Sequence, residues 1–165
     1  MSIQARIGDI YRVSLNDNTT RFIHYIAKDK SDLHSDVIRI FRRHYSIDEM
    51  PTVEMVLTDE VECHMHTFVR YALKWGLWQK YAFAPVRAND YVNVVFRSSR
   101  DEGKYPKQKV VSKDWEVWRI NGRRISVGIL PEQYHKADIG GVYSPNHVIQ
   151  RLLTGKEPCM FYPDY

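Results

Sequence analysis

The stretch that decides the fold is DWEVWRINGRRISVGIL, residues 114–130. Two runs rich in β-branched and aromatic residues flank the dipeptide formed by Asn121 and Gly122. Both central residues of a type I′ turn need a positive φ, and asparagine and glycine accept it most readily. The stretch therefore predicts an antiparallel hairpin that turns at this dipeptide. Because Trp115 and Trp118 fall on opposite faces of the first strand, we expect one in the core and the other partly exposed.

Strand patterns dominate the rest of the chain. Runs with alternating apolar residues, or with many β-branched and aromatic residues, occur at 8–15, 21–28, 35–45, 54–57, 61–66 and 91–97. No internal repeat and no low-complexity linker interrupts the 165 residues. The sequence therefore predicts a single α+β domain, residues 1–165, with a mostly antiparallel, strongly bent or barrel-like sheet and two short helices.

The two helices are predicted from apolar residues at helical spacing. The first covers residues 67–75, and Gly76 can end it in the left-handed conformation. The second begins at Ser144 or Pro145, because serine caps helix starts and proline fits the first turn, and Gly155 closes it. The stripes expected to be buried are Phe68, Val69, Ala72 and Leu73 in the first helix, and Val148, Ile149 and Leu152 in the second.

Composition limits the classes of function. Hydrophobic residues make up 44% of the chain and charged residues 27%, as in globular domains. A net charge of +4 is too small to indicate nucleic-acid binding by itself. No run approaches the length of a membrane span and no apolar signal segment begins the chain, so neither membrane nor nucleic-acid partners are expected. Cys63 and Cys159 form no CxxC pair and are expected to be free thiols in a reducing cytoplasm.

The segment VECHMHTFV, residues 61–69, carries the pattern with most chemical interest. In a strand, His64 and His66 project from the same face with Glu62 beside them. Two imidazoles can hold one divalent ion when a third ligand completes the coordination sphere, and His24 is the first choice for that ligand. The alternative is that both histidines are ordinary polar residues on the wet face of a half-exposed strand, since no third ligand has diagnostic spacing.

Several spaced motifs together resemble one known family. The stretches IGDIYRVSL, FIHYIAKDKSDLHSDVIRIF, GLWQK, DWEVWRING and FYPDY are similar to the immunity protein 26 / phosphotriesterase HocA family over nearly the whole chain. The resemblance implies two unlike roles. One is a small hydrolase of organophosphate triesters, and the other is a cytoplasmic immunity protein that binds and neutralises a cognate polymorphic toxin.

The hydrolase hypothesis, which we place slightly ahead, assigns roles to further residues. A divalent metal would lower the pKa of bound water and polarise the P=O bond of a neutral triester. Glu62 and Arg119 are the catalytic candidates, with the arginine stabilising the developing oxyanion. Aromatic walls suit an aryl leaving group, so Trp75, Trp78 and Trp118 are the candidates for substrate binding. The immunity hypothesis instead uses aromatic and basic side chains to contact a toxin.

Overall fold

The computed structural model describes residues 4–31, 33–101, 111–158 and 165. Across these residues the chain forms two β-sheets and three α-helices, which confirms the α+β class and the mostly antiparallel pairing. The structure has one helix more than the two predicted, because a short helix forms where a strand was predicted at 54–57. Neither sheet closes on itself in the described part of the chain, so the predicted barrel-like arrangement is not found.

The first sheet is built around a central strand that is buried on both faces. Its strands are β1 (Asp9–Ser14), β2 (Thr19–Asp29), β3 (Ser35–Phe41), β4 (Tyr45–Ser46), β5 (Val61–Thr67) and β6 (Gln79–Phe83). Their order is β5-β3-β2-β1-β6, with β4 paired to the start of β2, and all neighbours are antiparallel. Burial on both faces explains why the centre of β2, FIHYIA, is apolar at all positions except His24 instead of alternating.

The second sheet is smaller and its strands come from the second half of the chain. Its strands are β7 (Val95–Ser99), β8 (Trp115–Arg119), β9 (Ile125–Gly128) and β10 (Asp138–Ile139), in the order β10-β7-β8-β9. The α-helices are α1 (Val53–Leu57), α2 (Val69–Lys74) and α3 (Pro145–Thr154), and two 3₁₀ turns lie at 88–90 and 132–134. Among the described helices, none is long and apolar enough to cross a membrane.

The layers of the fold follow from which faces of the first sheet are apolar. On one face, Ile38 and Met65 pack with residues of α2 and α3, including Val148. On the opposite face, Val37 packs against Phe96 and Trp118 of the second sheet. The first sheet is therefore sandwiched between two helices and the second sheet.

The predicted hairpin is confirmed, but the prediction of a type I′ turn is wrong. Strands β8 and β9 pair antiparallel, and the Gly122 amide donates a hydrogen bond of 2.7 Å to the Arg119 carbonyl. Only Asn121 has a positive φ, 60°, whereas a type I′ turn needs two. Pairing resumes only at Val117 with Ile125, so the connection is longer than the tight two-residue turn that type I′ serves.

Both tryptophans of β8 are buried, so the prediction that one of them is partly exposed is wrong. Their side chains do lie on opposite faces of the strand, because Trp118 packs with Phe96 against the first sheet and Trp115 packs with Leu130 on the outer side. The loop that carries Leu130 covers the outer face, and this cover cannot be inferred from alternation along one strand.

The C-terminal helix has the ends that the sequence predicted. The Ser144 side chain accepts a hydrogen bond from the amide of His147, and Gly155 ends the helix with φ 64°. Val148 and Leu152 are fully buried, whereas Ile149 is only partly buried. The apolar stripe of α3 is therefore narrower than predicted.

Leu152→Ala is expected to lower the free energy of unfolding by about 2–5 kcal/mol, because it removes buried methyl groups and leaves a cavity. Leu152 has no exposed side-chain surface and belongs to the core cluster between α3 and the first sheet. Urea denaturation measures the change. Gln150→Ala on the exposed side of the same helix is the control, and equal unfolding midpoints for the two variants would contradict the burial.

Candidate functional site

The histidines of β5 share one face, as predicted, but that face is not wet. Cys63 and Met65 point into the helix-side core, and His64 and His66 point the other way, toward the second sheet. The ring of His66 lies against the ring of Phe96 with a centroid distance of 4.2 Å, and its side chain is 0% exposed. The interpretation of these histidines as ordinary strand surface is therefore wrong.

His66 forms a buried pair with Asp29 at the end of β2. Its Nε2 lies 3.1 Å from Asp29 Oδ2, and neither side chain is exposed. Burial lowers the pKa of His66 more than the neighbouring carboxylate raises it. Burial raises the pKa of Asp29, but hydrogen bonds from Ser31 and His66 bring it below its ordinary value. The pair therefore consists of a neutral imidazole that donates to a carboxylate.

His64 contacts a different carboxylate, which comes from the second sheet. Asp138 Oδ2 accepts from the His64 backbone amide at 3.0 Å and lies 2.9 Å from His64 Nδ1. The Arg39 Nε donates to His64 Nε2 at 3.3 Å, so Nε2 is unprotonated and Nδ1 carries the proton toward Asp138. Through this contact Asp138 joins β10 to β5 and connects the two sheets.

The three predicted metal ligands do not fit a shared divalent ion. His24, Arg39 and His64 are register partners on three adjacent strands, so the two histidines are two strand spacings, roughly 10 Å, apart. Ligand nitrogens lie only about 2.0–2.1 Å from a zinc ion, and Arg39 places a positive charge against His64 Nε2. His24 Nε2 lies 3.1 Å from the Ala84 carbonyl, and burial lowers the pKa of His24. In the described ranges, no group of three or more His, Cys, Asp or Glu side chains is placed to hold a metal.

Glu62 does not lie beside the histidines because a β-bulge displaces it. Ile40 pairs with Cys63 and Phe41 pairs with Val61, which leaves Glu62 without a partner on β3. Its carboxylate instead bonds to Arg21 and, at 3.0 Å, to Arg151.

Cys63, next to this bulge, is not activated as a nucleophile. Burial raises the pKa of Cys63 to about 12, so the thiol stays protonated at neutral pH. The structure therefore gives Cys63 a packing role in the helix-side core.

The remaining predicted residues lie in different parts of the molecule. Arg119 is exposed on a shallow groove of about 370 Å³ with Arg123 and Ile125. Trp78 is buried against Tyr11, with ring centroids 6.0 Å apart, and Trp118 is buried between the sheets. Among the predicted substrate-binding tryptophans, Trp75 alone is exposed. The predicted catalytic and substrate-binding residues are thus not brought together.

A cleft of about 430 Å³ opens beside His64. We call it the Arg39 cleft, and its polar lining consists of Arg39, His64, Asn89, Asp90, Asn93, Gln133, Lys136 and Asp138. Tyr91 and Tyr134 contribute aromatic walls. The cleft therefore combines an oriented imidazole, two cations and two aromatic rings.

A second surface surrounds α2, and the sequence patterns did not predict it. Phe68, assigned to the buried stripe, instead precedes the helix and is 40% exposed, and Tyr71 and Trp75 are 50% and 53% exposed. Tyr71 stacks on Trp75 with centroids 5.7 Å apart, and Phe68 meets Tyr71 edge-on at 5.8 Å. We call these three aromatic residues, with Lys28, Arg70 and Lys74, the α2 surface.

The α2 surface borders a cavity of about 570 Å³ whose base includes Tyr25 and Asp36. The Asp36 carboxylate accepts from the Tyr25 hydroxyl at 2.7 Å and from the Val69 amide at 2.9 Å. Asp36 therefore fixes the start of α2 on the sheet. The helix was predicted from its apolar periodicity. The aromatic residues at positions 68, 71 and 75 are also apolar, so only their spacing along the helix distinguishes them from the buried stripe.

No family model, curated protein or solved structure matches the chain. The function must therefore be argued from the chemistry of the Arg39 cleft and the α2 surface.

Proposed function

We propose that this chain is a binding protein that docks onto an acidic protein through the α2 surface, as an immunity protein docks onto its toxin. The observation that carries the proposal is the contiguous exposure of Tyr71 on α2 with Phe68 and Trp75, which flank the two ends of that helix. Exposed apolar patches of this kind on a folded domain commonly mark interaction sites. The immunity half of the family resemblance supplies the toxin as the partner.

The aromatic side chains suit the centre of an interface. Tyrosine and tryptophan are enriched among the few residues that carry most binding energy, because each buries a large area and loses little conformational freedom. Tyr71 and Trp75 already stack on each other, so little ordering is needed on binding. The cavity beside them can receive a side chain from the partner.

The rim of the surface selects an acidic partner. Lys28, Arg70 and Lys74 are exposed around the cavity. The carboxylate of Asp36 is almost completely buried, is engaged by the sheet and the helix, and lies 3.9 Å from Lys28 Nζ, whereas no described carboxylate is within salt-bridge distance of Arg70 or Lys74. The surface therefore presents cations to an incoming protein, and such complementarity accelerates association and discriminates among partners.

The deciding experiment measures binding to the protein encoded immediately upstream of this chain's gene. We expect a direct complex between the two purified proteins and rescue of cells from growth arrest when both are co-expressed. Association should slow as salt concentration rises, because the steering charges are exposed and become screened. An upstream product that is not toxic and does not bind would contradict the proposal.

The Arg39 cleft favours a second candidate function, hydrolysis of a phosphotriester. Asp138 holds His64 in the tautomer whose Nε2 can accept a proton. Water would attack phosphorus and pass a proton to Nε2, while the bond from phosphorus to the leaving alcohol breaks and its electron pair departs on oxygen. This route uses the cleft residues without a metal.

His64→Gln is expected to reduce hydrolysis of diethyl p-nitrophenyl phosphate by about 100-fold or more, because glutamine can still donate to Asp138 but cannot act as the base. Release of p-nitrophenolate measures the rate. Gln133→Ala, which changes a neutral residue of the same cleft, is the control. A wild-type protein that releases no more nitrophenolate than buffer, or a glutamine variant with the wild-type rate, would rule this activity out.

A further inference from the structure

Arg39 carries a positive charge that no described carboxylate neutralises by direct contact. Its Nη2 donates to the backbone carbonyl of Asp90 at 2.7 Å, and its Nε donates to His64 Nε2 at 3.3 Å. Burial lowers the pKa of Arg39, and the Asp90 carboxylate offsets this only in part. The guanidinium remains charged at neutral pH, so the cleft holds a partly buried cation that no described carboxylate contacts directly.

Three other arginines of restricted exposure in the described residues have a carboxylate partner, whereas Arg12 donates to the Ile47 carbonyl and the Met50 sulfur. Arg21 and Arg151 share the carboxylate of Glu62, and Arg124 lies 3.4 Å from Glu116. A partly buried charge is costly unless an opposite charge approaches it. An anion bound in the cleft would give Arg39 the direct counter-charge that Arg21, Arg124 and Arg151 already have.

We propose that the Arg39 cleft binds a phosphate monoester, with the guanidinium of Arg39 donating to two phosphate oxygens. Guanidinium groups match phosphate geometry because two parallel N–H donors reach two oxygens. Lys136, exposed at the cleft, supplies a second cation. Tyr91 and Tyr134 offer aromatic walls for the esterified group.

His64 makes the site selective for a phosphate that still carries a proton. Its Nε2 accepts a hydrogen bond, and Asp138 fixes its only ring proton on the far nitrogen. When an anion draws the Arg39 Nε–H away, Nε2 is left facing the cleft as an acceptor. A P–OH group can donate to it, whereas sulfate has no proton to give at neutral pH.

The carboxylates of the cleft keep their negative charge, but each has an oxygen that is held by a group other than Arg39. Asp138 Oδ2 is engaged by the amide and the ring of His64, and Asp90 Oδ2 accepts from the Arg87 amide at 2.7 Å. The inference is independent of the α2 surface and requires no hydrolysis.

Calorimetric titration of the full chain with phenyl phosphate, inorganic phosphate and sulfate near pH 7 tests the proposal, since a fraction of each phosphate keeps a proton there and an ordinary imidazole is mostly neutral. We expect phenyl phosphate to bind most tightly and sulfate at least about tenfold more weakly, because sulfate leaves Nε2 without a donor. Tighter binding of inorganic phosphate than of phenyl phosphate would instead identify free phosphate as the ligand and overturn the monoester assignment.

Two variants and a control locate the binding. Arg39→Lys keeps the charge but loses the paired donors, and we expect affinity to fall about tenfold, with Arg39→Met losing binding altogether. Arg42→Met, which removes an exposed arginine paired with Glu60 at 3.2 Å, should bind as the wild type does. Thermal unfolding checks that each variant is folded. The proposal would be overturned if Arg39→Met and Arg42→Met bound phenyl phosphate equally well. It would also be overturned if millimolar phenyl phosphate did not bind to the wild-type protein.

Discussion

Replacing Tyr71 and Trp75 together by alanine is expected to weaken binding to the upstream-encoded partner about 1,000-fold. Each side chain is half exposed and stacked on the other, and Tyr71 lines the cavity beside α2. Truncating a central aromatic residue of an interface commonly costs about 2 kcal/mol or more, and each 1.4 kcal/mol is about tenfold in affinity. Surface plasmon resonance would show the loss mainly as faster dissociation.

The fold of this double variant should be intact, because the buried residues of α2, Val69 and Ala72, are unchanged. Ile129→Ala is the matched control, since it shortens a side chain that is 71% exposed on the other side of the molecule. Loss of growth rescue in the double variant, with rescue kept in the control, supports the α2 surface. Wild-type affinity in the double variant would show that the partner docks elsewhere.

Glu62→Gln is expected to lower the free energy of unfolding by about 3–5 kcal/mol, because it leaves a buried arginine without a counter-charge. The Arg21 side chain is 1% exposed and the Glu62 side chain 7% exposed. Arg21 also donates to the Leu152 carbonyl at 2.9 Å, so this cation supports the C-terminal end of α3. Urea denaturation followed by tryptophan fluorescence measures the change.

The control for this variant is Glu60→Gln, two residues away. Glu60 pairs with Arg42 in solvent, where ion pairs contribute only about 0–1 kcal/mol. A Glu62→Gln variant as stable as Glu60→Gln would contradict the interpretation of the buried network.

The sequence predicts the parts of the fold that depend on neighbouring residues. Alternation places β1 and β5, and the serine cap and the glycine end define α3, since these signals lie within one element. The strand predicted at 54–57 is wrong because four residues are too few to distinguish the two periods, and the Thr52 side chain caps a helix there. The strand predicted at 91–97 begins only at Val95, after a 3₁₀ turn.

The candidate site is predicted only in part, because its partners are remote in sequence. The shared face of His64 and His66 follows from strand geometry. Their carboxylate partners, Asp138 and Asp29, lie 74 and 37 residues away, and no local pattern connects them. The displacement of Glu62 depends on the register of β5 against β3, which is set by the whole sheet.

The contact between Asp138 and His64 also bears on how the chain folds. It closes a loop of 74 residues and joins two sheets whose strands come from different parts of the sequence. The entropy of closing so long a loop is lost before the contact stabilises anything. Docking of the second sheet therefore carries an entropic cost like that of pairing β6 with β1, where Asp9 pairs with Phe83. Until it occurs, the inner face of β5 is open to solvent, and the Arg39 cleft does not exist.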